Sequence, residues 1–332
     1  MTRKSRLTHD LIAAYKLPIE IIEAQKATIT ELMEYHSVEY IGAIYSTKEL
    51  ESEGIYDPVE KTPLEYLGLV DDCAKFTDIK EHILYIAGSS ITAARAIQDH
   101  DVIINWQGGR HHAKKSKAAG FCYVNDVVLC IMQLQEDYQR ILYIDIDIHH
   151  GDGVEEAFSC SKSVTTCSFH ICEPGYFPGS GKNSLNEYTI NVPLKPGIQG
   201  EKFLAVFTRV VEKVMATANP QVIVLQCGVD GLARDPLGGW NLTEVDYCNC
   251  VDYILRSNMP TIILGGGGYN PVNVAKCWTS VTAKCVGVDL PRDIPEIDDW
   301  PLFAPDYSIN VSKSNQKDYN ESVDSILCSI SN

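Results

Sequence analysis

The feature that most constrains this chain is a repeated alternation of short apolar runs with polar loops and helix-like stretches. The runs are "DVIINW" (101–106), "RILYIDIDI" (140–148), "SVTTCSFH" (163–170), "EYTINVPL" (187–194), "QVIVLQC" (221–227) and "PTIIL" (260–264). Helical patterns occupy 83–100, about 125–138, 201–218 and 243–256, with another after 270. Apolar strands alternating with helices predict an α/β fold whose central, mostly parallel sheet is covered by helices on both faces. One such domain is expected over 1–332, with short helices in 7–34 interrupted by Pro18 and a loop at 63–73. In sheets of this kind, functional groups gather where loops leave the carboxyl ends of strands. Polar residues cluster there four times: after 101–106, at the end of 140–148, after 221–227 and after 260–264.

Composition narrows the function classes. The chain is 45% hydrophobic and 22% charged, as in ordinary globular proteins, and its net charge of −16 argues against direct nucleic-acid binding. An acidic surface suits a basic peptide partner. No apolar signal segment or membrane-length run is present, so no membrane association is expected. The 12 cysteines contain no C-x-x-C pair and read as reduced thiols of a cytosolic or nuclear protein.

The densest chemistry lies in "DIDIHHGDG" (145–153). On a strand, alternate side chains share a face, so Asp145, Asp147 and His149 project together while Ile144, Ile146 and Ile148 pack on the other side. Two carboxylates and an imidazole side by side need a cation. Asp147 and His149 are therefore candidate ligands for a divalent ion, and Asp230 in "LQCGVDGLARDP" is the candidate third. Three protein ligands leave a position open for water, which marks a catalytic site. A hydrogen-bonded polar cluster at a strand end is the structural alternative.

A second histidine doublet, His111-His112, stands in the glycine-flanked loop after the first strand. Asp145 and Asp152 are available to fix the tautomers of these rings, and a His–Asp pair beside a metal-bound water is the apparatus of general-base hydrolysis. "LGGGGYN" (264–270) permits close backbone approach and ends in Tyr269, whose phenol would suit a developing oxyanion. A structural turn, or a phosphate cradle without the usual motif, are its other readings.

Together "GGRHHAKKSKAAGFCYVNDVVL", "RILYIDIDIHHGDGVEEAF", "VIVLQCGVDGLARDPL" and "LGGGGYN" resemble, in order, the motifs of the zinc-dependent class I histone deacetylases, over about residues 7–310. The resemblance implies the arginase/deacetylase fold and hydrolysis of N6-acetyl-lysine, in histone tails or other proteins, to lysine and acetate. It implies Asp147, His149 and Asp230 as ligands of Zn2+ (or Fe2+), and His112 as general base and acid. His111 would be an electrostatic helper, Asp145 and Asp152 the partners of the two histidines, and Tyr269 the group that polarises the acetyl carbonyl. Phe121 and Phe177 would wall the acyl-lysine tunnel, Gly120 would offer its carbonyl, Leu237 would line the rim, and Asp72 would hold the substrate backbone. Structural K+ or Na+ is implied at two sites. One involves Asp145, Asp147, His149, Ser168 and Phe169, the other Phe158, Ser161, Val164 and Tyr188. The family relationship also implies location in the nucleus and cytoplasm.

Three departures stand out. The chain starts where the family's first helix begins, so the sheet is expected to lack the usual amino-terminal strand. The stretch between "PGSG" and "EYTINVP" is short by several residues, next to Phe177. Arg110 replaces a bulky apolar or aromatic residue before the histidine pair, adding positive charge near the base. Competing readings are an acetylpolyamine or other small-amide hydrolase, an arginase-like ureohydrolase and a non-catalytic scaffold. Arginase-like D-x-H-x-D spacing is absent, because the acid after His149 is Asp152, one residue later.

Overall fold

A computed structural model describes residues 2–46 and 63–330. Its frame is a six-stranded, all-parallel sheet in the order β1-β6-β5-β2-β3-β4. The strands are β1 (Val102–Asn105), β2 (Ile141–Asp145), β3 (Val164–Ile171), β4 (Thr189–Leu194), β5 (Val222–Gln226) and β6 (Thr261–Leu264). Among the described residues no strand precedes β1.

The apolar alternation decides which face each side chain serves. Leu142, Ile144, Phe169, Ile223, Leu225 and Ile263 join one core, beneath the helices Gly200–Ala218, Glu244–Leu255 and Pro271–Cys285. Ile141, Tyr143, Val222, Val224, Ile262 and Leu264 join the other, beneath Ile79–Ala96 and Asp126–Leu134. The helix Gly200–Ala218 shows how sequence builds such a layer. Phe203, Val206, Phe207, Val210, Val211 and Val214 recur at helical spacing and are all buried, each contributing about 1.5–3 kcal/mol. It ends at Asn219, whose φ of 42° turns the chain out of the helix.

Several boundaries differ from expectation. The 140–148 run pairs in register only to Asp145, and beyond it single backbone bonds tie the segment to the ends of the neighbouring strands. Ile146 N donates to Gln226 O (3.1 Å), and Ile148 O accepts from Ile171 N (2.9 Å). Alternation nevertheless persists past the ladder: Ile144, Ile146 and Ile148 all stay in one core. The first helical region is Arg3–Ala14, then an irregular stretch to Ile29–Met33. The predicted loop at 63–73 contains two short helical turns, Pro63–Tyr66 and Asp71–Cys73, and the helix predicted at 83–100 begins earlier, at Ile79.

The strand order sets the site. From β2 the chain builds outward through β3 and β4, then returns to place β5 and β6 on the other side. The reversal lies between β2 and β5, where loops diverge and leave a crevice at the carboxyl ends.

Candidate active site

Loops from four strands meet at that crevice. β2 delivers Asp147 and His149, and β5 delivers Asp230, so the three flank the reversal point. All are buried, and one potential ligand atom from each lies within 4.8 Å of the others. His149 Nδ1 is 3.2 Å from Asp147 Oδ1 and 3.0 Å from Asp230 Oδ2. Burial and the Asp147 carboxylate push Asp230 up to about 7, while the two acids, working against burial, raise His149 to about 10. A single imidazole proton between two buried carboxylates leaves charge uncompensated. This donor set fits a divalent cation, which two carboxylate oxygens and an imidazole nitrogen would hold with a position to spare.

The outer lone pairs of the acids are already committed, which fixes their direction. Asp147 Oδ2 accepts from Gly267 N (2.7 Å) and from Gln226 Nε2 (3.0 Å), and Asp230 Oδ1 accepts from Ile148 N (2.8 Å). The glycine loop after β6 lies directly on these carboxylates. A Cβ on Gly267 would come within 2.1 Å of Asp230 Oδ2. Backbone pressed against two acids is the wrong environment for a phosphate, so the loop serves close approach.

The two histidines after β1 are each tied to a different carboxylate. His111 Nδ1 donates to Asp145 Oδ2 (2.7 Å), an oxygen that also accepts from Tyr143 Oη (2.5 Å). His112 Nδ1 donates to Asp152 Oδ1 (2.7 Å), and Lys114 Nζ holds Asp152 Oδ2 at 2.7 Å. The rings lie 3.9 Å apart, too close for both to be charged without cost. Their environments separate them. Against burial, Asp145 and Asp147 raise His111 to about 9, while burial and the charge of His111 lower His112 to about 4. At neutral pH, His112 is therefore a neutral imidazole with its Nδ1 proton on Asp152 and its Nε2 lone pair free.

Tyr269 N donates to Asp235 Oδ2 (2.7 Å), which anchors the end of the glycine loop. Burial and the charges of Asp230 and Asp147 push its phenol upward, so it remains an O–H donor. The mouth is aromatic. Phe177 sits 4.8 Å from the His112 ring and Phe121 5.9 Å from Tyr269, and they are 43% and 46% exposed. Gly120 adopts φ 53°, and a Cβ there would meet His112 Cδ2 at 2.5 Å, so only glycine fits. Leu237 is exposed at the rim, where its carbonyl accepts from Tyr176 Oη (3.2 Å). Asp72 is exposed in the turn Asp71–Cys73, which Tyr123 ties to the 120s loop by donating to Ala74 O (2.6 Å).

The residues expected around monovalent cations fall into two groups. Ser168 stands opposite Asp145 in the β2–β3 register, and Phe169 beside it is buried. Phe158, Ser161 and Val164 share one turn, in which Ser161 N donates to Phe158 O (2.8 Å) and Val164 N to Ser161 Oγ (3.2 Å). Tyr188 O reaches the same end of β3 by accepting from Thr166 N (2.8 Å).

Sequence reasoning missed four positions. Gln226, fully buried, orients Asp147. Its signal was a lone amide ending an apolar strand. His150, left without a role, has its Nδ1 2.8 Å from Ser180 Oγ and its Nε2 3.1 Å from Glu155, so it ties down the loop bearing Phe177. His36 Nε2 accepts from Asn125 N (3.0 Å), and Asn125 in turn donates to His111 O (3.3 Å) and Ala113 O (2.8 Å). Lys4, from the first helix, lines the pocket and donates to Gly266 O (2.6 Å) and Gly268 O (3.1 Å). Nothing local in the sequence marked the last two.

An α/β sheet with this ligand group and two histidine–carboxylate pairs at its reversal point defines a metal-dependent hydrolase of the arginase/deacetylase fold. The histone deacetylase domain family matches residues 1–285. The chain is 39% identical over 329 residues to histone deacetylase 8 of Danio rerio, covering 96% of this chain and 85% of that protein. It is 41% identical over 340 residues to histone deacetylase 8 of Xenopus tropicalis, covering 99% and 90%. It is also 41% identical over 325 residues to histone deacetylase 1 of Homo sapiens, covering 95% and 66%. The chain belongs to the histone deacetylase family, as a class I member, and is a metal-dependent lysine deacetylase. "PGYFPGSG", "ARDPLGGWN" and "APDYSIN" look most like histone deacetylase 8, although overall identity to histone deacetylase 1 is as high.

Proposed function

We propose that the chain, acting as one catalytic domain over 1–332, hydrolyses N6-acetyl-lysine in histone tails and other acetylated proteins, with Zn2+ held by Asp147, His149 and Asp230. What carries this reading is the neutral, Asp152-bound His112 in the same pocket as the buried ligand group. Zinc, when bound there, supplies Lewis-acid activation of water and of the amide carbonyl. His112 Nε2 takes the proton of the attacking water and returns a proton to the departing lysine nitrogen. His111, cationic between Asp145 and Asp147, is the electrostatic helper. Tyr269 donates its O–H to the oxyanion. Phe121, Phe177 and Gly120 guide the neutral acyl-lysine stem, since a charged lysine would have to shed its hydration to enter. Leu237 lines the rim, and Asp72 grips the substrate backbone.

K+ or Na+ is the counter-ion of Asp145, near Asp147, His149, Ser168 and Phe169, with a second ion near Phe158, Ser161, Val164 and Tyr188. The protein acts in the nucleus and cytoplasm. The deciding assay incubates purified protein with acetyl-lysine peptides and acetylpolyamines, with and without chelator. Chelator-sensitive turnover of acetyl-lysine, abolished by Asp230→Ala, is expected. Turnover confined to acetylpolyamines, or none, would overturn the reading.

A further inference from the structure

One charged group beside the histidine pair has no part in the deacetylation just described. Lys114 stands two residues after His112 and is half-buried, while Lys115 and Lys117 are exposed. Its Nζ lies 2.7 Å from Asp152 Oδ2 and 3.2 Å from Glu156 Oε2. Asp152 opens the helix Asp152–Phe158 and Glu156 follows one turn later, so the two acids share one face of it. The two contacts differ in weight. The Glu156 side chain is 60% exposed, and an ion pair so open to water contributes little. Asp152 and Lys114 are 15% and 20% exposed, so theirs is the stronger, charge-assisted bond.

Asp152 therefore serves two partners with its two oxygens. Oδ1 accepts from His112 Nδ1 at 2.7 Å, and Lys114 occupies Oδ2. Against burial, these two groups hold Asp152 well below the usual carboxylate range, so it stays ionised. A carboxylate bonded at one oxygen alone can turn about its Cβ–Cγ bond, and the ring it steadies turns with it. Bonded at both oxygens, it keeps one orientation. The loop is shaped to present the lysine. Ala113 O accepts from Asn125 Nδ2 (2.8 Å), Lys114 N donates to Lys117 O (2.8 Å), and Lys115 O accepts from Ser37 N (3.0 Å). The backbone is thus pinned at Lys114 and on either side of it, two residues from the ring that Asp152 steadies.

Resting on the deacetylase reading above, we propose that Lys114 is a positioning residue for the general base. By fixing Asp152 through its second oxygen, it holds the His112 ring with Nε2 toward the attacking water. Lys114 does not line the pocket that His112 and Asp147 share. Its loss therefore acts on proton transfer and leaves the binding of substrate and metal in place.

The test uses the full chain loaded with zinc and an acetyl-lysine peptide. Lys114→Met should lower kcat on the order of tenfold, with KM and metal affinity, the latter from competition with a fluorescent chelator, within about twofold of wild type. Lys114→Arg, which keeps a charged donor, should recover most of the rate. In an Asp152→Asn background, Lys114→Met should cost less than about twofold, because the carboxylate through which it acts is gone. The same loss in both backgrounds would assign Lys114 a merely structural role and overturn the proposal, as would an unchanged kcat in Lys114→Met. A second readout does not depend on turnover. In metal-free protein, the downfield proton resonance of His112 Nδ1–H, assigned by its loss in His112→Asn, should broaden through exchange with water in Lys114→Met and stay sharp in Lys114→Arg. A resonance as sharp in Lys114→Met as in wild type would overturn the proposal. If acetyl-lysine is not hydrolysed by wild type, the deacetylase reading fails, and the resonance still decides whether Lys114 steadies the pair.

Discussion

His36 offers a prediction that links folding to the catalytic loop. It is 2% exposed, and its Nε2 accepts from Asn125 N, so only the neutral ring fits; burial lowers it from 6.5 to about 4. The sign follows from proton counting. Between pH 6.5 and 4 the unfolded chain binds a proton that the folded chain refuses, so stability falls as the solution is acidified through this window, and the effect levels off below 4. From those two values the loss attributable to His36 between pH 7 and 4.5 is about 2–3 kcal/mol. Many carboxylates titrate in the same range. The discriminating quantity is therefore the difference between wild type and His36→Gln, whose amide oxygen can accept from Asn125 without titrating. Urea unfolding of both proteins in chelator at pH 7 and 4.5 measures it. Wild type should lose about 2–3 kcal/mol more than the variant on acidification. Equal losses, within about 0.5 kcal/mol, would refute the claim that His36 is held neutral. The consequence reaches the site, because protonated His36 would face the Asn125 N–H with a donor and loosen the residue that holds His111 O and Ala113 O.

Two further outcomes are expected. Gln226→Leu strips Asp147 Oδ2 of one donor and leaves Gly228 N without the amide oxygen it reaches at 2.8 Å, so metal affinity, measured by competition with a fluorescent chelator, should fall on the order of 10–100-fold. An unchanged affinity would mean that the amide does not orient the ligand. Gly120→Ala places a Cβ 2.5 Å from His112 Cδ2 at a φ of 53°, which should lower stability by about 1–3 kcal/mol in thermal melts and reduce deacetylation more steeply than its stability loss explains. An unperturbed melt would show that the 120s loop yields freely.

The local elements were legible because their patterns are local. Period-two alternation carried Ile144, Ile146 and Ile148 to one core even beyond the end of the β2 ladder, and the helix Gly200–Ala218 follows its apolar spacing to within one residue. The candidate metal-ligand group was legible for the same reason. Asp147 and His149 lie two residues apart, and Asp230 stands in a loop that the strand pattern already placed at the same sheet edge.

What the sequence determined by itself is thus the parallel sheet, its loaded carboxyl edge and the identity of the groups gathered there. Tertiary structure alone decided the strand order that puts β2 beside β5, and with it the meeting of Asp147 and His149 with Asp230. It alone brought Lys4 from the first helix to the glycine loop 262 residues later, and set His36 beneath Asn125. It also separated the two adjacent histidines, leaving one charged and one neutral. The physical reason is common to all three. Burial and electrostatic partnership depend on neighbours distant in the chain, and no local pattern encodes which of them the packed core will bring within hydrogen-bonding range.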